Sequence, residues 1–148
     1  MSEEMLKKVR RFLLYTAFLM VAFVISYFIA YPLGYSPLGY EVLENKEDMV
    51  VLQPYNTWGL KEAQVTYQPP EGEEWKLKWL ADLIDRQAFN YHFFFTSVIV
   101  AVFWVGMDIL KGSSLKRILI LSSLYVGMSG LSLIQHLNDI KDIIQSSL

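Results

Sequence analysis

The chain has 148 residues, of which 53% are apolar and 19% charged, a composition typical of an integral membrane protein rather than a soluble one. Its net charge of −2, with no basic stripe, argues against a nucleic-acid-binding protein. Because cysteine is absent, disulfides, thiolate catalysis, iron–sulfur clusters and cysteine-bound zinc are excluded.

A basic leader followed by an uncharged apolar run opens the chain. Residues 1–11 contain four Lys or Arg, and residues 12–29 contain no charged side chain. A helix of about 20 apolar residues crosses the roughly 30 Å hydrocarbon core of a bilayer, whereas the apolar part of a cleaved signal peptide has only about 7–15 residues. We therefore predict a cytoplasmic leader over 1–11 and an uncleaved first span over 12–31.

A polar segment of about 58 residues, 32–90, follows the first span. Tyr31 and Tyr35 stand where the helix leaves the bilayer, so we expect them in the interfacial aromatic belt. Two short apolar runs, 49–52 and 63–67, predict a small β-hairpin. Because two strands alone are marginal in water, we expect this hairpin to rest on something else, such as a partner subunit.

The end of this segment changes to helical periodicity. Apolar residues that include Trp75 and Trp79 recur at helical spacing, which predicts an amphipathic helix over 71–90. One interpretation places this helix at the membrane surface with the two tryptophans as anchors. In the other, the helix packs on the protein's own loop, and in either it could continue directly into the second span.

Two further apolar runs predict spans over 91–110 and 118–136, joined by a turn over 111–117. The leader and this turn carry seven basic residues and must share one face of the membrane, while 33–90 contains five Lys or Arg against ten Asp or Glu. By the positive-inside rule the N-terminus is cytoplasmic, and the acidic segment and a tail over 137–148 are outside. We expect a plasma or inner membrane.

The turn itself predicts an antiparallel helical hairpin. Gly112 suits a left-handed helix end, and Ser113 or Ser114 can cap the next helix. Asp108 is the only acid in the second span, and we expect it to pair with a basic residue of the turn. With no ionisable group near the middle of a span, an ion-coupled transporter is disfavoured.

Small residues four or fewer positions apart lie on one face of each span, and small residues let membrane helices approach closely. This predicts a compact bundle or a larger assembly. The predicted packing residues are Ala22, Ser26 and Ala30 in the first span, Ser97 and Ala101 in the second, and Ser123, Gly127 and Gly130 in the third.

The two histidines both lie at the open end of the helical hairpin, away from the turn. His92 opens the second span and His136 closes the third, each 19 residues from a basic residue of the turn. Equal spacing predicts equal depth, about 28 Å above the turn. Two such imidazoles could hold a haem b iron, or a divalent metal together with Asp85 or Asp139. The alternative is that both are ordinary interfacial histidines, with no cofactor and no metal.

The sequence therefore predicts an all-α membrane protein with three spans and an external segment. No nucleophile motif, phosphate loop or metalloprotease motif is present, so we expect no enzyme. The favoured function is a small accessory subunit of a larger membrane complex, for example a respiratory or other electron-transfer assembly. Its partners are then other integral membrane subunits and the bilayer, and its acidic face could steer a basic soluble partner. The alternatives are a haem b electron carrier and a free-standing channel or transporter component.

Overall fold

A computed structural model describes residues 2–112 and 114–145. Three helices and three strands follow one another in these two ranges. They are α1 (Glu3–Ala30), β1 (Tyr40–Asn45), β2 (Val50–Pro54), β3 (Val65–Tyr67), α2 (Trp75–Lys111) and α3 (Leu115–Gln145).

All three helices are long and apolar enough to cross a membrane, so the chain is a multi-pass membrane protein. They contain 28, 37 and 31 residues. At 1.5 Å per residue, α1 is about 42 Å long, α2 about 55 Å and α3 about 46 Å. Since the hydrocarbon core is only about 30 Å thick, α2 and α3 extend well beyond it.

The helices form an antiparallel bundle in which α2 packs on both α1 and α3. The ammonium of Lys111 lies 5.8 Å from the ring centroid of Tyr15, so the start of α1 lies beside the end of α2. The rings of Phe18 and Phe103 follow at 3.6 Å. The basic residues of the leader and of the turn therefore share one end of the bundle, and the strands lie at the other.

The three strands form one antiparallel sheet in the order β1-β2-β3. The predicted hairpin over 49–52 and 63–67 is confirmed by β2 and β3, in which Val51 pairs with Thr66. Strand β1 was not predicted, and the fold is therefore not all-α. It is an exposed edge strand with a bulge between Val42 and Glu44, and its acidic side chains are typical of protected sheet edges.

The sheet packs on the extensions of α2 and α3 to form a head outside the spans. Its core contains three residues from each source: Val50, Leu52 and Tyr67 from the sheet, Leu77, Leu80 and Ile84 from α2, and Ile140, Ile143 and Ile144 from α3. Burial of apolar surface from three parts of the chain gives this segment a core of its own. The hairpin thus rests on something else, as expected, and that support is supplied by α2 and α3 of the same chain.

The core decides between the two interpretations of the helix over 71–90. The helix packs on the protein's own segment and continues into the second span, as one uninterrupted helix from Trp75 to Lys111 whose buried face contacts the sheet. The predicted tail over 137–148 is helical as far as Gln145. A second apolar cluster of Ala30, Tyr91, Leu133 and Leu137 joins all three helices just below the head.

Hydrogen bonds fasten the start of the sheet to α2. The Tyr40 backbone N–H donates to Oε1 of Gln87 at 3.0 Å, and Nε2 of Gln87 donates to the Tyr40 carbonyl at 3.0 Å. The hydroxyl of Tyr91 donates to the carbonyl of Pro37. Gln87 is buried, so these bonds satisfy polar groups that water cannot reach.

We expect Ile140→Ala to lower the free energy of unfolding by about 2–5 kcal/mol, because it leaves a cavity in the head core. The matched control is Ile134→Ala in the same helix, whose side chain is 53% exposed, whereas that of Ile140 is 0% exposed. The control should change stability by no more than about 0.5 kcal/mol. Unfolding in mild detergent, followed by circular dichroism, measures both, and equal losses would place the end of α3 outside the core.

Candidate functional site

The predicted small residues are buried in two helices but not in the third. Ala22, Ser26 and Ala30 are buried in α1, and Ser97 and Ala101 are buried in α2. In α3 the predicted face differs: Ser123 and Gly127 are exposed, and Gly130 is half-buried beside the Phe94 ring. The buried small residues there are Ser122 and Ser129. The buried face of α3 is instead the one that continues through Leu133 and Leu137 into the head.

His92 faces α1. Its ring is buried, 4.2 Å from the Phe23 ring and 5.8 Å from the Tyr31 ring, measured between centroids. Its Nε2 lies 3.0 Å from the Phe23 carbonyl oxygen. A carbonyl only accepts hydrogen bonds, so this nitrogen carries the proton and donates. His92 thus joins two helices through a buried hydrogen bond.

His136 faces α2 at a different height from His92. Its Nε2 lies 2.5 Å from the carbonyl oxygen of Leu83, and Leu83 precedes His92 by nine residues in the same helix. Nine residues correspond to about 14 Å along the helix axis. The predicted equal depth of the two histidines is therefore wrong, because α3 passes α2 in a different register from the one that spacing to the turn implies.

This geometry does not favour a haem between the two imidazoles. Each Nε2 donates to a carbonyl, so only Nδ1 keeps a lone pair, and the two rings face different helices at different heights. Within the described ranges, no group of three or more His, Asp or Glu could hold a metal ion. Asp139 lies beside Lys76 and Trp79. The arrangement fits structural histidines.

The turn between α2 and α3 follows one prediction and departs from another. Gly112 has φ 69° and its N–H bonds to the carbonyls of Asp108 and Ile109, as a left-handed helix end requires. Asp108 forms no ion pair with any described residue, so its predicted pairing with the turn is not found. The predicted cap at Ser113 lies outside the described residues.

The head carries an exposed pair of tryptophans on α2. Trp75 and Trp79 are 59% and 46% exposed, and their stacked rings lie 5.8 Å apart. With Lys111 at one hydrocarbon boundary, Trp79 lies about 18 Å and Trp75 about 24 Å beyond the other. This pair, the tryptophan ridge, is therefore too far out to anchor the membrane interface as predicted. The reason is that α2 continues without interruption from Trp75 into the span.

Acidic side chains flank the tryptophan ridge on both sides. A shallow depression on one side is lined by Asp82 and Asp85, and another on the far side by Asp139 and Asp142. Asp82 pairs with Arg86 at 3.1 Å. The other three form no ion pair with a described residue. The ridge thus combines two exposed aromatic rings with three carboxylates that form no ion pair with a described residue. Lys78 and Lys76 line the same depressions, and Lys76 pairs with Glu73 and lies over the Trp75 ring.

The predicted aromatic anchors Tyr31 and Tyr35 lie at the junction of the spans and the head. The Tyr31 ring stacks on Tyr27 at 5.0 Å, and the Tyr35 ring stacks on Phe95 of α2 at 6.2 Å. Both side chains are exposed. These contacts place the two tyrosines beside the ends of the spans that adjoin the head.

No protein-family model, curated protein or solved structure matches this chain.

We expect the purified protein to show no Soret band when it is produced with an ample haem supply. Both imidazoles already donate their Nε2 proton to backbone carbonyls at different heights. The absorption spectrum before and after added haem tests this. A Soret band that disappears in both His92→Ala and His136→Ala would contradict the structural role assigned to the histidines.

Proposed function

We propose that the protein is a non-catalytic accessory subunit of a larger membrane assembly, and that its head binds a basic surface of a partner protein through the tryptophan ridge. A respiratory or other electron-transfer complex is one setting for such a subunit. The observation that carries the proposal is the ridge itself: two stacked, exposed tryptophans about 20 Å outside the membrane, where lipid does not cover them.

Exposed tryptophans at this height need a reason in a protein with a well-formed core. Trp is enriched at the centres of protein interfaces, where one side chain contributes a large apolar area. Neighbouring head residues such as Leu77 and Leu80 are buried. The head therefore had a place for apolar side chains, yet Trp75 and Trp79 point away from it. A partner surface is the environment that suits them.

Charge defines the kind of partner. Residues 33–90 carry five basic and ten acidic side chains, a net of −5. Asp85, Asp139 and Asp142 lie beside the ridge and form no ion pair within the described ranges. Lys or Arg side chains of a partner would neutralise these carboxylates, and Arg would also stack on the indole rings. Complementary charge would speed encounter and select against acidic proteins.

The head has a core of its own, which suits it to binding a partner as a preformed surface. A segment without a core would need its neighbour to fold, whereas this head is already folded by contacts within the chain. A preformed surface loses little conformational entropy when it binds. The head is thus suited to dock a partner reversibly as well as permanently.

The distribution of basic residues favours one orientation of the head relative to the membrane. The end of the bundle that holds the leader and the turn carries seven of the 13 basic residues. The positive-inside rule therefore places this end in the cytoplasm and the head on the other side of the membrane.

We expect Asp48→Cys to react with a membrane-impermeant maleimide in intact cells, because Asp48 is exposed at the tip of the β1–β2 turn. Ser114→Cys, at the basic end of the bundle, should react only after the membrane is opened. The chain has no other cysteine, so each label reports one position. The reverse labelling pattern would place the head in the cytoplasm.

We expect Trp75→Ala/Trp79→Ala to detach the protein from its assembly. Truncation of a tryptophan at an interface centre costs about 2 kcal/mol or more, so affinity should fall at least about thirtyfold. Native electrophoresis of the host membranes in mild detergent measures this, with mass spectrometry of the co-migrating band. The matched control is Leu43→Ala, which removes an exposed apolar side chain from β1, elsewhere in the head. Migration of the unaltered protein as a monomer or homo-oligomer would refute the proposal.

A further inference from the structure

The segment between α1 and the sheet rises along α2. Tyr35 stacks on Phe95, the next contact is between Pro37 and Tyr91, and Tyr40 bonds to Gln87. The contacts on α2 thus move by eight residues, about 12 Å, away from the spans. The start of the sheet is at the upper end of this rise, and Tyr35 is at the lower end.

The connection between β2 and β3 returns down the same path. The Tyr55 N–H donates to the Gly39 carbonyl at 2.9 Å, and the Leu38 N–H donates to the Asn56 carbonyl at 2.9 Å. The Tyr35 hydroxyl then donates to the Trp58 carbonyl at 3.3 Å. The tip of this connection, residues 56–60, therefore lies beside Tyr35, at the height of Phe95.

The tip has a defined shape. Oδ1 of Asn56 accepts hydrogen bonds from the N–H groups of Trp58 and Leu60, at 2.9 and 3.0 Å. Gly59 has φ 78°, and a Cβ at this position would come within 2.7 Å of the Tyr35 ring. A residue without a side chain is needed for both reasons. The turn is thereby held against Tyr35 while its other side chains face outward.

Those outward side chains are large and apolar. Trp58 is 76% exposed and Leu60 is 63% exposed, and Leu38, whose N–H donates to the Asn56 carbonyl, is also exposed. Phe95 is 16 residues from Lys111, or about 24 Å along α2. This height is within the roughly 30 Å hydrocarbon core, close to its outer boundary. The tip is thus held at membrane depth, next to a spanning helix.

We propose that the tip is a membrane-inserted anchor, in which Trp58 and Leu60 enter the boundary between headgroups and acyl chains of the leaflet on the head side. The occupant of this surface is phospholipid. The continuity of the tip with the spans, through Tyr35 and Phe95, argues for lipid rather than for water or a soluble protein. Trp at this depth keeps its indole N–H among the headgroups while its ring contacts the chains. The anchor would fix the height and tilt of the head above the membrane.

Single-tryptophan proteins in vesicles that contain brominated phosphatidylcholine test this proposal. One protein keeps Trp58, another keeps Trp79, and a third keeps Trp104, with every other tryptophan changed to phenylalanine. Trp104 lies about 10 Å above Lys111 and is the control within the hydrocarbon. We expect lipids brominated near the headgroup to quench Trp58 by about half, more than lipids brominated at mid-chain do. Trp79 should be quenched by neither lipid.

Quenching of Trp58 by aqueous acrylamide together with no quenching by either lipid would overturn the proposal. A second measurement avoids dependence on the triple substitutions. A polarity-sensitive dye on Trp58→Cys, in the otherwise unaltered chain, should report an apolar environment in vesicles, and the same dye on Asp48→Cys should report water. A dye on Trp58→Cys that reports water would also overturn it. These experiments contain lipid and no partner protein, so their outcome is independent of whether the tryptophan ridge binds one.

Discussion

The structure depends on one constraint, the length of α2. An uninterrupted helix of 37 residues extends past the membrane surface, because the hydrocarbon core accommodates only about 20 of them. The remaining turns must project into water, and their apolar face must be covered. The sheet and the end of α3 provide that cover, since Leu80 and Ile140 are both fully buried in one cluster. The head is thus the consequence of a helix that is too long for the bilayer.

The same helix sets the heights of all other features. The tryptophan ridge is far from the membrane because it lies at the N-terminal end of α2. The tip with Trp58 is nearer to the spans because it bonds to Tyr35, which stacks on Phe95. The exposed tryptophans therefore form two sets at different heights: Trp58 beside the spans, and Trp75 with Trp79 at the far end of the head. Under our proposals, one set binds a protein and the other fixes how the head is presented to it.

Much of the architecture could be predicted from the sequence, and the reasons are local. Charge-free runs identify spans because a buried charge in hydrocarbon is costly, and two short runs separated by turn residues predicted β2 and β3. Strand β1 was missed because its acidic, exposed residues carry no such signal. Ile140, Ile143 and Ile144 follow a span and resemble an amphipathic tail until the sheet that covers them is known. The candidate site was predicted less well, since nothing in the spacing of His92 and His136 shows which carbonyl each one faces.

By itself the sequence determined three spans, the antiparallel order of the last two, and the concentration of basic residues at one end, because these follow from the transfer of each segment into oil and from charge. Only the tertiary structure decided that the external segment has its own core, that the histidines bond to carbonyls at different heights, and that Trp58, rather than Trp75 or Trp79, lies beside Tyr35 at the junction with the spans. These facts depend on the register between helices and on contacts between residues far apart in the chain. Hydropathy does not encode that register, since many registers bury the same apolar area.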